Sequence, residues 1–259
     1  MEPKDPKTSW GKVAGWYNEL VEERPGNYQT SVILPNILRI LEIQKNTVVA
    51  DLACGQGFFA REFAKSGARV MASDIAEELI TIAKKNTPPA LENKITYKVT
   101  PADKLSFIAN SSVDKAVIIF AIQNIENVKE VLAEVSRILK PNGKLVIAMN
   151  HPAFRIPKGS DWGWDEKTKV QYRRINQYIT ESKIKIQMHP GDKPTEHTLS
   201  FHRPLQFYFK ALQKSGFCVA RLEEWTSHKK SEPGPRAEIE DRARKEIPLF
   251  LCLEAIKHS

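Results

Sequence analysis

The chain has 259 residues, 41% of them hydrophobic, which suits one large domain or a core carrying an inserted cap. No apolar run approaches the roughly 20 residues that cross a bilayer, and the opening MEPKDPKTSWGK is too polar for a secretory leader. The net charge is +8, but lysines are interleaved with acids, as in EVLAEVSRILK, so a solvated surface is favoured over a nucleic-acid footprint.

Residues 8 to 24 and 27 to 43 read as helices, the second with Ile33, Ile37, Ile40 and Leu41 as its apolar stripe. Both precede the first core strand, so they are expected on the flank of a sheet or over its carboxyl edge. The stretch 47 to 74 is the most informative. An apolar run, Val48-Val49-Ala50, ends on Asp51, and a turn of small residues follows, Ala53-Cys54-Gly55-Gln56-Gly57. An amphipathic helix with Phe59, Ala60, Phe63 and Ala64 on one face closes at Gly67, and a second strand, Arg69 to Ala72, ends on Ser73-Asp74. Strand, glycine turn, helix and strand make a βαβ unit. Glycines let the backbone turn sharply and approach a ligand, and the helix points its first amides into the turn. An acid at the tip of the second strand is placed to accept from ribose hydroxyls. The spacing departs from the dinucleotide pattern G-x-G-x-x-G, because Phe58, Phe59 and Ala60 follow Gly57.

Ile75 to Asn86 forms the next helix, ended before Pro88-Pro89, and Ile95 to Val99 forms a third strand. That strand leads to Thr100-Pro101-Ala102-Asp103, where the Asp103 carboxylate either accepts from a ligand N–H or caps a helix. Asn110-Ser111-Ser112 turns the chain into Val113 to Phe120, whose continuous apolar run suits a central parallel strand. Val128 to Leu139 is a helix stopped by Lys140-Pro141-Asn142-Gly143, and Lys144 to Met149 is the fifth strand.

Asp51, Ala53, Gly55 and Gly57 fill a frame that resembles the (D/E)-x-(G/A)-x-G-x-G motif of class I S-adenosylmethionine-dependent methyltransferases. LKPNGKLVI, residues 139 to 147, resembles that family's approach to its fifth strand, and the resemblance covers residues 47 to 150 by motif. It implies a doubly wound, seven-stranded, mostly parallel Rossmann-like sheet with S-adenosylmethionine as cofactor and S-adenosylhomocysteine as product. The cofactor contacts it implies are Asp51, Ala53, Cys54, Gly55 and Gly57 at the turn, with Ala53, Cys54 and Gly55 along the methionine part. Asp74 would bind the ribose beside Ile75. Asp103, next to Ala102, would take the adenine amino group, with Phe120 and Ala121 packed nearby. Tyr17, in an aromatic pair with Trp16, and Tyr28 are the candidates for a lid over the cofactor. Ala121-Ile122-Gln123-Asn124-Ile125 stands where amino-methyltransferases of DNA bases carry (D/N/S)-P-P-(Y/F/W), so that chemistry is excluded.

The chain divides at these boundaries into N-terminal helices (1–46), a cofactor-binding core (47–150), a cap insertion (151–202) and the rest of the core (203–259). In the cap, Lys183, Lys185 and Gln187 alternate with Ile184, Ile186 and Met188 as a half-exposed strand, expected to join Val170 to Ile179 in a small antiparallel cap. A helix opens at Phe201-His202-Arg203-Pro204-Leu205 and runs to about Lys214. Phe217 to Trp225 and Ile247 to His258 are the last strands, which the resemblance pairs antiparallel at the sheet's edge. The connection between them, 226–246, is long enough to be functional.

His151, at the carboxyl end of the fifth strand, is the candidate general base or substrate orienter, with a structural histidine as the plain alternative. Trp162, Trp164 and Tyr172 either stack on a planar acceptor or form the cap's own core. Arg155, Arg173 and Arg174 either grip a carboxylate or phosphate or pair with Asp161, Asp165 and Glu166. The histidines lack ligand spacing, so no metal is expected. Cys54, Cys218 and Cys252 are far apart in apolar settings, so buried free thiols in a reducing cytoplasm are expected. The expected activity is methyl transfer to an oxygen or nitrogen of a small-molecule acceptor by a cytoplasmic enzyme with no membrane contact. An RNA or protein methyltransferase and a non-catalytic cofactor-binding protein are the alternatives, and oligomeric state is not legible.

Overall fold

The computed structural model describes residues 10–22, 26–187 and 196–258. A 3-10 turn, Gly11–Val13, leads into α1 (Ala14–Glu22), and a π-helical turn, Gln29–Ile33, leads into α2 (Leu34–Leu41). Then come β1 (Val48–Leu52), α3 (Phe58–Lys65), β2 (Arg69–Asp74), α4 (Glu77–Lys85), the short α5 (Pro89–Glu92) and β3 (Ile95–Val99). β4 (Val113–Ile119), α6 (Val128–Ile138) and β5 (Leu139–Asn150) complete the repeating part. β6 (Ser160–Asp165), β7 (Val170–Ile175), β8 (Ser182–Gln187) and β9 (His197–His202) follow. The chain ends with α7 (Leu205–Lys214), β10 (Phe217–Trp225), α8 (Ala237–Glu246) and β11 (Phe250–Lys257).

The main sheet has seven strands in the order β10-β11-β5-β4-β1-β2-β3, and only β11 runs antiparallel to its neighbours. This is the mostly parallel, doubly wound sheet expected from the sequence. Its central strands are buried on both faces, which is why β4 is written as an unbroken apolar run, Ala116-Val117-Ile118-Ile119. On one face Val131, Leu132 and Val135 of α6 pack with Leu212 of α7. On the other, Ile37 and Ile40 of α2 pack with Phe59 and Phe63 of α3. α1 lies apart from both layers, its Ala14 against Ala76 and Leu79 of the α4 region. Asn86 Nδ2 donates to Asn18 Oδ1 at 2.8 Å, and the Arg61–Glu22 ion pair ties the end of α1 to α3. The sheet order reverses at β1, with β2 on one side and β4 on the other, and this opens a crevice at the strands' carboxyl ends.

Several expectations need correction. Residues 140–143 do not separate a helix from a strand, because β5 begins at Leu139. Its register on β4 jumps from Val113↔Leu139 to Lys115↔Lys144, so Lys140 to Gly143 bulge out. Gly143 is required there, since a Cβ would lie 2.8 Å from the Lys140 carbonyl oxygen. The cap is two separate hairpins, β6–β7 and β8–β9, so β8 pairs with β9 and not with residues 170–179. Phe201 and His202 complete β9, and helix α7 starts only after Pro204, whose extended backbone ends the strand. The 226–246 connection contains α8. Cys54 and Cys252 are buried, but Cys218 is exposed. No helix among the described residues is long and apolar enough to cross a membrane.

Phe63 is fully buried between α3 and the sheet. Phe63→Ala is expected to cost about 3–5 kcal/mol, read as a lower urea midpoint at unchanged slope.

Candidate active site

The crevice floor is the turn after β1, which passes through left-handed backbone at Ala53 (φ 54°), Gly55 (φ 58°) and Gly57 (φ 79°). Gly57 has no room for a side chain, because a Cβ would sit 2.7 Å from the Tyr97 hydroxyl. Asp74, at the tip of β2 and 7% exposed, holds this turn in place. One carboxylate oxygen accepts from the Gly55 amide and the other from the Ala76 amide, each at 2.9 Å. Burial raises the Asp74 titration, and those amides oppose the shift. Asp51, on the adjacent strand and 2% exposed, is pushed up to about 8, first by burial and then by the charge of Asp74. Its Oδ2 has no hydrogen-bond partner.

From this floor the crevice opens in two directions. One arm has an outer chamber of about 370 Å³, lined by Ala53, Asp74, Ile75, Ala102 and Asp103. It continues into an inner chamber of about 110 Å³, lined by Tyr17, Gly55, Leu79, Phe120 and Ala121. Asp103 Oδ1 is buried there without a partner, while Oδ2 takes a long 3.4 Å bond from Asn127 Nδ2. Asp103 thus caps no helix and presents a free acceptor. Tyr17 from α1 roofs the inner chamber, its ring 3.3 Å from where a Gly55 Cβ would lie. Burial, with help from Asp74, pushes the Tyr17 hydroxyl up to about 12.

The other arm, of about 390 Å³, is walled by the aromatic rings of Trp10, Trp16, Tyr28, Phe120 and Phe250. Phe120 lines both arms where they meet, together with Trp10, Tyr17 and Asn124. Its φ of 56° is a strained conformation for a bulky residue. The surroundings impose it: Phe120 N–H donates to the Ala148 carbonyl at 2.8 Å, and Gln123 Nε2 donates to the Phe120 carbonyl at 2.9 Å.

Of the expected contacts, Ala53, Gly55, Asp74, Ile75, Ala102, Asp103, Phe120, Ala121 and Tyr17 converge on the first arm. Asp51, Cys54 and Gly57 line no chamber. They shape the turn from beneath, with Cys54 packed into the core. Tyr28 is corrected from cofactor lid to the wall of the second arm, where its hydroxyl meets Ser227 Oγ at 2.9 Å. His151 is corrected as a base. It is 4% exposed, lines no chamber, and has both ring nitrogens engaged: Nε2 with Glu224 at 2.7 Å, and Nδ1 accepting from the Ala153 amide at 3.1 Å. That pattern places the proton on Nε2 and makes His151 an anchor for the 151–159 loop.

Trp162 and Trp164 stack beneath Arg173 and Arg236, and Arg174 pairs with Asp161, so the β6–β7 hairpin uses these groups on itself and its neighbours. Asn124, which lines every chamber of both arms, was missed in the sequence. Its signal is the polar pair Gln123-Asn124 directly after a buried strand. No three His, Cys, Asp or Glu side chains among the described residues group as metal ligands, and His189 lies outside those residues.

The Asp51 shift has a measurable sign. The folded carboxyl titrates near 8 and the free one near 3.8, so between those values the folded state holds a proton the unfolded chain has released. Stability therefore falls as pH rises through that window. Asp51→Asn is expected to flatten the fall in Tm between about pH 5 and pH 8. An unchanged slope would place the proton elsewhere.

Residues 50–147 match a family model described as a methyltransferase domain. The demethylmenaquinone methyltransferase of Renibacterium salmoninarum is 35% identical over 107 residues, 41% of this chain and 43% of that one. The ubiquinone/menaquinone biosynthesis C-methyltransferase of Hydrogenovibrio crunogenus is 32% identical over 169 residues, 58% of this chain and 63% of that one. The chain thus spans less than two thirds of the length of these curated relatives. An S-adenosylmethionine-dependent methyltransferase of Mesorhizobium loti shares the fold at a TM-score of 0.71 and 24% identity, over 89% of this chain and all of that one. Turn motif, strand order and family match coincide on the same residues, and residues 50–147 are a methyltransferase domain on the fold of S-adenosylmethionine-dependent methyltransferases.

Proposed function

We propose that the protein transfers a methyl group from S-adenosylmethionine to a small planar acceptor held in the aromatic arm. The observation that carries this reading is a crevice of two arms that adjoin at Tyr17, Phe120 and Asn124. The first arm fits the cofactor. Asp74 offers two carboxylate oxygens to ribose hydroxyls, and the unpartnered Asp103 Oδ1 suits an adenine amino group. The left-handed turn at Ala53 and Gly55 leaves space for the methionine part to approach the backbone. When bound, the cofactor supplies a methyl group on a positively charged sulfur, which departs with the bonding electron pair as a neutral thioether.

The chain's own contribution is positioning and exclusion of water. Tyr17 from α1 covers the inner chamber, and Ile186, Thr198 and Ser200 of the β8–β9 hairpin wall the second arm. Among the described residues that line this arm there is no histidine, aspartate or glutamate to act as a base. This lining suits an acceptor atom that is nucleophilic as it arrives: an amine, an ionised hydroxyl or an electron-rich ring carbon. The names of the quinone-pathway relatives, and an aromatic wall suited to a ring, support extending the expected oxygen or nitrogen to carbon. An enclosure built from α1 and a hairpin suits a small molecule better than an RNA or protein.

Asp74→Ala is expected to weaken S-adenosylmethionine binding about a hundredfold or more in calorimetry, with an unchanged circular dichroism spectrum. Unchanged affinity removes the ribose assignment. Incubation with methyl-labelled cofactor and a panel of hydroxy- and amino-aromatics, followed by NMR of the product, assigns the acceptor atom. Cofactor binding without labelled product would favour the non-catalytic alternative.

A further inference from the structure

The second arm does not end at its aromatic wall. A further chamber of about 30 Å³ continues from it and shares Gln123, Asn150, Arg155, Pro157 and Ser200 with it. Arg203 and Tyr208 close the far end. Arg203 is 5% exposed and fixed on several sides: Nη2 donates to the Glu126 carbonyl at 2.8 Å, and the guanidinium lies over the rings of Phe201 and Phe207. Its nearest carboxylate, Glu181, is 4.0 Å from Nε. Nη1 is buried and makes no well-aligned hydrogen bond, although the Tyr208 hydroxyl lies within hydrogen-bonding reach of the guanidinium. In the same chamber Gln123 Oε1 is also buried and unbonded, because its Nε2 is committed to Phe120. Arg155 brings a second positive charge to the junction of the two chambers, and no carboxylate among the described residues pairs with it. Among the described residues, the charged side chains lining the second arm are Arg155 and Lys229, both basic.

A buried guanidinium N–H without an acceptor is costly, as is a buried amide oxygen without a donor. Here one of each belongs to a residue lining the chamber beyond the proposed acceptor arm. We propose that this chamber is a carboxylate subsite. Arg203 Nη1 and the Arg155 guanidinium hold the carboxylate of the methyl acceptor, and Gln123 Oε1 accepts from a hydroxyl or amino hydrogen beside it. The inference rests on the acceptor-arm reading above. The chamber's size suits a flat carboxylate, and Gln123 Oε1 would repel a phosphate dianion that offers only acceptors. The acceptor class is accordingly a planar aromatic carboxylate with an adjacent hydroxyl or amino group. Because Arg203 Nη1 and Gln123 Oε1 are sealed from solvent, a carboxylate reaches them only when side chains lining the chamber move.

The test titrates 2-hydroxybenzoate and its neutral counterpart 2-hydroxybenzamide into protein saturated with S-adenosylhomocysteine. The benzoate is expected to bind about tenfold or more tightly than the amide. That margin is lost in Arg155→Met and shrinks in Arg203→Lys, which keeps a charge but not the planar fork. S-adenosylhomocysteine affinity stays the same in both variants. If Arg203→Lys does not fold, Arg155→Met, at an exposed position, carries the test alone. Equal affinity for the two probes, as a chamber that only holds water would give, overturns the subsite. So does failure of both probes to bind while S-adenosylhomocysteine still binds. Failure of S-adenosylhomocysteine to bind overturns the underlying two-arm reading instead.

Discussion

The site depends on a buried negative charge at the tip of β2. An isolated carboxylate taken out of water costs several kcal/mol, and the backbone amides turned toward Asp74 offset part of that cost. One of them, from Gly55, belongs to the turn after β1, so satisfying the charge and shaping the turn are the same event. The Cys54 amide adds a bond to the Ser73 carbonyl at 2.9 Å, which fastens the two strand ends side by side. The turn meets these demands by leaving the right-handed region at Ala53, Gly55 and Gly57, and the last of these has Tyr97 where a side chain would stand.

The charges of the crevice are sorted along its length. Asp74 and Asp103 line the first arm. Arg155, Lys229 and Arg203 gather toward the opposite end. The net charge of +8 describes neither end. Between them stands Phe120, held with a backbone twist that an aromatic residue rarely adopts, its main-chain groups bonded to β5 and to Gln123. Strain of this kind persists only where the surroundings over-determine it.

The first arm was largely legible in the sequence because its parts are local. An acid at the end of an apolar run, a fixed glycine spacing and an acid at the end of the next strand sit within 28 residues (47–74), and the βαβ unit brings them together by its geometry. The second arm was not legible, because distant segments build it. Tyr28 reads as a lid until Phe250, more than two hundred residues later, packs against it. His151 reads as a base until Glu224 occupies its Nε2. Period-two alternation reveals that residues 182–187 form a strand, yet nothing in it names β9 as the partner. The tryptophans at 162 and 164 look like a platform for a ligand, but Arg173 and Arg236 already cover them.

The two arms draw on different parts of the chain. The donor side comes mainly from the sheet's strand ends and their turns, where most substitutions disturb the core itself. The far wall comes from α1, the β8–β9 hairpin and the segment leading into β11, which the sheet does not need in order to close. Insertions in those outlying pieces can therefore reshape the second arm, and with it the choice of acceptor, while the arm proposed to hold the adenosyl group keeps its shape.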